Sequence, residues 1–334
     1  MTEREPIYVF CCANSTYAMP LGVMLASMAC NLKTDRDISL HILESNISRE
    51  DRDKIEDSVF NNKNGSGRLT FYWHKVEAER LENLPDAGSY RHITAEAYGR
   101  LFAPDVLPQS CNRVVYLDCD LIVLKDIAEL NDAADDDHTI SVVPTVRFPY
   151  VSSLFEPTRS VVFDYAQLGI PATNRYFQSG VMVMNLKLWR KRNITSRVLD
   201  YAKASKEKLL FVDQGALNAV LFDQWRRLDQ RWNQTSTVLY PECWKPPAYT
   251  RSEWRQTLDD PFIIHYDSGD KPWNRDFRRP RSSFFHKYFL KTPFKRDYKI
   301  ARVAALESMI GFQNYFAVWR MRTALGAKLP KKRK

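Results

Sequence analysis

No stretch of this 334-residue chain approaches the roughly 18 consecutive apolar residues that a membrane-spanning helix requires. The first residues, Met1 to Pro6, are polar and carry acids, so no secretory leader is expected. The six cysteines (Cys11, Cys12, Cys30, Cys111, Cys119 and Cys243) show no C-x-x-C spacing and stand mostly among apolar neighbours. Neither a zinc site nor a disulfide framework is indicated, and reduced thiols in the cytoplasm are the expectation. No G-x-G-x-x-G follows the first apolar run, which argues against a dinucleotide-binding domain. There is no internal repeat. N-x-[ST] sequons occur at Asn14, Asn193 and Asn233, and without export they are expected to stay unmodified.

What is present is the material for a substantial core. Hydrophobic residues make up 44%, aromatics 13% and charged residues an ordinary 27%. The length suits one large α/β domain with appendages, or two modest domains. The net charge of +9 is unevenly spread. From Lys271 onward there are 18 Lys and Arg against 3 Asp and Glu, whereas the first 270 residues carry 31 basic and 37 acidic residues. The chain therefore divides by charge into a body, 1–270, and a basic C-terminal tail, 271–334. Within the tail, Tyr298 to Leu325 reads as an interrupted amphipathic helix, with Ile300, Val303, Leu306, Ile310 and Phe316 at helical spacing. Phe312, Tyr315 and Trp319 cluster there with Arg302, Arg320 and Arg322, ahead of a Lys331 to Lys334 basic end. That mixture suits an anionic membrane surface, with apolar groups inserted and basic groups at the headgroups. The expected location is thus cytoplasmic, on the inner face of the cell membrane. No nucleic-acid module accompanies the charge, so nucleic acid is the lesser alternative.

Along the body, apolar runs and turn signals alternate. Strands are expected at Ile7–Cys12, Ile38–Leu43, Leu69–Trp73, Arg113–Leu117, Thr139–Val143 and Gly180–Asn185. Helices are expected over about 20–31, after Ser48 (with Asp51 placed as in a capping box), over 94–102 and over 187–203. Residues 146–174 form a Pro-punctuated insertion that could cover a site. Strands alternating with helices predict an α/β fold with a mostly parallel central sheet flanked by helices.

One strand ends in chemistry. In Arg113-Val-Val-Tyr-Leu-Asp-Cys-Asp120 a buried-type strand runs into two carboxylates, and open α/β sheets bind ligands at their carboxyl ends. Positions i and i+2 share a face, so Asp118 and Asp120 can offer hard oxygen ligands to Mg²⁺ or Mn²⁺. Cys119, between them, faces the other way. Alone, Asp-x-Asp is more often a solvated turn.

Three further segments follow in order: Tyr176-Phe-Gln-Ser-Gly-Val-Met-Val-Met-Asn-Leu-Lys-Leu-Trp-Arg190, Phe211-Val-Asp-Gln-Gly-Ala-Leu-Asn218 and His265-Tyr-Asp-Ser-Gly-Asp-Lys-Pro-Trp273. With Arg91-His-Ile-Thr-Ala-Glu-Ala-Tyr-Gly-Arg100 upstream, they resemble glycosyltransferase family 8 over about residues 7–273. The resemblance implies a GT-A type fold and retaining transfer of galactose or glucose from a UDP-sugar to a glycan or glycolipid acceptor, with Mn²⁺ or Mg²⁺. By the same matching, Asp118, Asp120 and His265 are the metal ligands and Lys271 a point charge on the diphosphate. Arg100, Gln178 and Ser179 would line the donor pocket, together with Cys119 and the first-strand turn: Cys11, Ala13, Asn14 and Tyr17, with Tyr17 stacking on the base. Asp213 and Gln214 would face the donor sugar, and His92, Thr94 and Thr145 would lie toward the acceptor. Where the family reads uracil with an aspartate, this chain offers Ala13 and Asn14. The glycine expected three residues after the histidine is Ser268, with Gly269 one later, and Thr145 and Arg147 stand where some relatives direct an aspartate at the acceptor. Gln214 is an amide and a poor nucleophile, which favours same-face substitution over a double displacement. The rival expectation is a catalytically silent glycan-binding or scaffold protein on the same fold.

Overall fold

Strand β1, Ile7–Asn14, is buried on both faces, as the first apolar run requires of a central strand. Ile7, Val9 and Cys11 enter one hydrophobic cluster and Phe10 the other, so the sheet separates two core layers. The computed structural model describes residues 5–75, 84, 95–153, 165–205, 212–239, 249–274 and 280–296. Within them, β2 (Ile38–Ser45), β3 (Leu69–Lys75), β4 (Arg113–Leu117), β6 (Ile140–Pro144), β7 (Phe177–Asn185) and β8 (Trp225–Arg227) complete a seven-stranded sheet in the order β3-β2-β1-β4-β7-β6-β8. Neighbours in β3-β2-β1-β4 run parallel, as do β6 and β8, while β7 runs against both β4 and β6.

A second, three-stranded sheet holds β5 (Leu121–Val123), β10 (Ile263–His265) and β9 (Gln234–Thr235), in the order β5-β10-β9. Because β5 begins one residue after Asp120, its antiparallel pairing with β10 sets His265 opposite Leu121. This small sheet is what joins the distant histidine to the aspartate pair.

The helix Ala18–Asn31 is buried along nearly its whole length, which fits its lack of a polar face. It is covered by the helix Ser282–Phe289: Asn31 donates to the Tyr288 hydroxyl at 2.9 Å, and a Cβ on Gly22 would come within 2.7 Å of the Phe294 ring. Phe285, Tyr288, Phe289 and Phe294 share a core cluster with β1 residues. The body's core thus runs past the charge boundary expected at residue 270. Residues 297–334, including the expected amphipathic helix, lie outside the described residues.

Two local expectations differ in detail. The helix expected over 187–203 is two helices, Leu186–Lys191 and Ile194–Ala204, separated at Asn193, whose φ of 49° is left-handed and breaks the α-helical run. The segment Ala95–Phe102 is a 3₁₀ helix. Ser48 caps the helix Arg49–Phe60 by accepting from the Asp51 amide, as the capping pattern implies. No helix among the described residues is long and apolar enough to cross a membrane.

Candidate active site

The chain leaves β4 at Leu117 and turns through Asp118, Cys119 and Asp120 before β5. The Asp118 amide still donates to the Gly180 carbonyl at 2.9 Å, which ties the turn to β7. Asp118 Oδ1 accepts from the Tyr116 hydroxyl at 2.6 Å and from Arg100 Nη2 at 3.0 Å. Cys119 points the other way, its thiol donating to the Cys12 carbonyl at 3.0 Å inside the core. The alternation read from the sequence therefore holds through the turn.

Asp120 Oδ1 lies 3.2 Å from His265 Nε2, and Asp118 Oδ2 lies 4.0 Å from the same nitrogen. Among the described residues these three form the group of His, Cys, Asp and Glu side chains able to close on one ion, with candidate ligand atoms within 4.8 Å of one another. Two observations say that the residues fit a divalent cation. Asp120 Oδ1 is buried without an aligned hydrogen-bond donor, an arrangement that costs free energy unless something positive completes it. In addition, a Cβ on Gly180 would lie 2.5 Å from both Asp118 Oδ2 and His265 Cε1, so the glycine leaves the space between these ligands clear. Two carboxylates and an imidazole suit Mn²⁺ well and Mg²⁺ acceptably.

Cations already gather at these acids. Lys271 Nζ lies 2.5 Å from Asp120 Oδ2 and donates to the Tyr266 carbonyl at 2.8 Å. Burial works against the Asp120 carboxylate, but Lys271 and His265 outweigh it and hold the group well below the usual carboxylate range. Burial likewise opposes the charged forms of Lys271 and His265, and Asp120 nonetheless raises both. Arg100 is 6% exposed and bridges two acids, with Nη2 on Asp118 and Nε 3.0 Å from Asp213 Oδ2. Its Nη1 also donates to the Ser179 carbonyl and hydroxyl. For Asp213 the balance is reversed: burial outweighs Arg100, and its carboxyl is pushed up to about 6.

Asp213 and Gln214 open the helix Val212–Val220, directly after Val212, whose φ of 44° is left-handed. A β-branched residue held there stores roughly 1–3 kcal/mol of strain, which the packing of a fully buried Val212 side chain helps to offset. Gln214 Oε1 accepts from the Ser179 amide at 3.2 Å, so the helix start is tied to β7. Between Val142 and Val143 the β6–β7 register shifts, with Val142 opposite Met182 and Val143 opposite Gln178. This bulge falls at Ser179-Gly180-Val181, the part of β7 that faces Asp118 and Arg100.

The other expected residues sit as follows. Asn14 is the cap of a short 3₁₀ turn, Oδ1 accepting from the Thr16 and Tyr17 amides. Ala13 and Cys11 side chains belong to the core, so what they can offer a ligand is main chain. Tyr17 meets Trp273 edge-on, 6.0 Å between ring centroids, close to Lys271. Thr145 follows β6 and donates to the Phe148 carbonyl at 2.6 Å. Ser268 donates to the Asp270 carbonyl within the loop that carries Lys271. His92 and Thr94 lie outside the described residues.

One residue at the centre of the site escaped the sequence reading. Asn233, fully buried, meets two site side chains: its Oδ1 lies 2.9 Å from His265 Nδ1, and its Nδ2 donates to Gln178 Oε1 at 2.6 Å. Its only sequence signal was a sequon, expected to stay unmodified.

Known proteins resemble this chain over most of its length. The pattern of the glycosyl transferase family 8 matches residues 8–276. General stress protein A of Bacillus subtilis is 29% identical over 290 residues, covering 86% of this chain and 94% of its own length. The lipopolysaccharide 1,3-galactosyltransferase of Salmonella typhimurium is 23% identical over 271 residues, covering 79% of this chain and 72% of its own length. The crystal structure of the galactosyltransferase LgtC, solved with donor and acceptor sugar analogues, superimposes with a TM-score of 0.69 at 23% identity. It covers 86% of this chain and 96% of LgtC, and at that identity it establishes the GT-A fold. With the family pattern spanning β1 to the Lys271 loop, the chain belongs to glycosyl transferase family 8.

Proposed function

We propose that the protein is a metal-dependent retaining hexosyltransferase, moving galactose or glucose from a UDP-sugar to a glycan acceptor such as lipopolysaccharide core, capsule or a lipid-linked saccharide. The observation that carries this reading is the convergence of Asp118, Asp120 and His265 beside Lys271 and Arg100. The galactosyltransferase activity for which the Salmonella relative is named supports the sugar class.

Asp118, Asp120 and His265 would hold Mn²⁺ or Mg²⁺, which when bound neutralises charge developing on the departing diphosphate. Lys271 adds a point charge beside them, already oriented by Asp120 and the Tyr266 carbonyl. Asp213 receives hydrogen bonds from donor-sugar hydroxyls, and Arg100 holds it in place. Gln214, an amide whose Oε1 is engaged by Ser179, supports positive charge near the anomeric carbon better than it attacks it. Same-face substitution follows, with the incoming hydroxyl giving its proton to a leaving phosphate oxygen. The basic tail serves peripheral attachment to anionic lipid on the inner face of the membrane, each basic residue adding about 1 kcal/mol.

The test is a donor screen over UDP-galactose, UDP-glucose and their N-acetyl analogues, with Mn²⁺ or with EDTA, read as released UDP. Metal-dependent release with a hexose donor is expected. No release with any of them points instead to a silent glycan-binding protein. Deleting residues 297–334 is expected to abolish co-flotation with phosphatidylserine vesicles, and unchanged flotation refutes the membrane role.

A further inference from the structure

The protonation pattern of the imidazole at the site can be followed back to a main-chain amide. The Gly180 N–H is a donor and nothing else, and it lies 2.6 Å from one terminal atom of the Gln178 amide. That atom must therefore be the oxygen, Oε1, which fixes the side-chain orientation. Asn233 approaches the same oxygen at 2.6 Å. An oxygen there would face another oxygen, so the Asn233 atom must be Nδ2, a donor. The opposite end of the Asn233 amide is then Oδ1, an acceptor, and it lies 2.9 Å from His265 Nδ1. Only a protonated Nδ1 completes that contact, which leaves the lone pair of the neutral ring on Nε2. Nε2 is the nitrogen that faces Asp120 Oδ1 and Asp118 Oδ2.

We infer that Asn233 is a positioning residue for the metal centre: through Gly180, Gln178 and Asn233 the β7 bulge dictates which nitrogen of His265 is offered to the cation. The inference rests on the metal-dependent reading above and deepens it. Three properties of the relay support the role. Asn233 and His265 are 0% and 3% exposed, so water does not compete for the Nδ1 proton. Asn233 stands next to β9, which pairs with β10 so that Thr235 lies opposite His265. The relay also starts at Gly180, the position whose missing side chain leaves the ligand space clear. One bulge thus sets both the room for the ion and the orientation of its imidazole ligand. Partners that fix a metal-binding histidine in this way typically contribute 10–100-fold to metal affinity.

The experiment has two readouts that do not depend on turnover. In the metal-free, ¹⁵N-histidine-labelled protein at alkaline pH, the His265 resonances, assigned by comparison with His265→Gln, are expected to show a protonated Nδ1 and a bare Nε2. The reverse pattern overturns the inference, whatever the protein's metal affinity. Titration with Mn²⁺ alone, followed by electron paramagnetic resonance, should show Asn233→Leu binding about 10–100-fold more weakly than the parent. Asn233→Asp keeps an acceptor for Nδ1 but sets a carboxylate oxygen against Gln178 Oε1, so it should recover only part of that loss. Asn233→Leu with parental affinity and a parental far-ultraviolet spectrum sinks the relay while leaving the metal site standing. A parent protein that binds no Mn²⁺ sinks the proposed function, and the tautomer measurement still decides the relay.

Discussion

Lys271 Nζ and Asp120 Oδ2 lie 2.5 Å apart, and both side chains are almost withdrawn from water, at 8% and 12% exposure. The ammonium supplies the positive charge that a buried carboxylate needs. Removing one partner of such a pair leaves an uncompensated charge and costs about 3–5 kcal/mol. Lys271→Met is expected to lower metal-free stability by that amount in urea unfolding. Saturating Mn²⁺ should raise its melting temperature more than it raises the parent's, because the ion then takes over the missing charge. Equal gains in both proteins would show that Lys271 and the ion do not serve the same carboxylate.

Asp120 also offers the oxygen without a donor. Asp120→Asn should therefore reduce Mn²⁺ affinity by more than the ~10–100-fold that changes outside the ligand shell produce. Its acid stability should change too. The folded carboxylate is held below its unfolded value, so its contribution is present above about pH 4 and is lost as pH falls below that. Urea titrations between pH 3 and 7 should show a shallower acid decline in Asp120→Asn.

Asp213 runs in the opposite sense. Its folded value of about 6 lies above the ordinary carboxylate value, so the folded protein binds the extra proton between about pH 4 and 6. Stability contributed by this group falls as pH rises through that window. Asp213→Asn should flatten that segment of the stability profile. In the parent, kcat/KM should carry an acidic limb near pH 6, since the ionised carboxylate is the form that accepts sugar hydroxyls.

Gly180→Ala tests the room between the ligands. The added methyl would meet Asp118 Oδ2, His265 Cε1 and, at 3.0 Å, Gln178 Oε1. Mn²⁺ binding by electron paramagnetic resonance should be lost, while the far-ultraviolet spectrum stays parental. Retained binding would mean that the ion sits elsewhere.

The aspartate pair was legible because strand alternation alone aligns Asp118 and Asp120, and a buried-type strand precedes them. Six of the seven strands of the large sheet were also visible as apolar runs, within a few residues of their ends, whereas the three-residue β8 was not. His265 was different. Its approach depends on β5 and β10, two three-residue strands too short to leave a periodic signal, and only the family resemblance named it. Asn233 gave no usable signal, since its role exists only through contacts with residues 32 and 55 positions away. The break at Asn193 was hidden because a left-handed asparagine does not interrupt the apolar spacing on either side. The sharp charge change at residue 270 hid the packing that continues beyond it. Phe285 and Phe289 sit among basic neighbours yet are buried against the helix Ala18–Asn31.

The turn that carries the aspartates also carries sulfur. Cys119 is sealed under it against Cys12 and Cys11, and burial pushes all three thiols far above the range in which they ionise at neutral pH. Such sulfurs are poor nucleophiles while the corner stays shut. The rate at which iodoacetamide modifies Cys119 therefore becomes a clock for breathing of the metal corner, one that any occupant bridging β4 to β10 should slow.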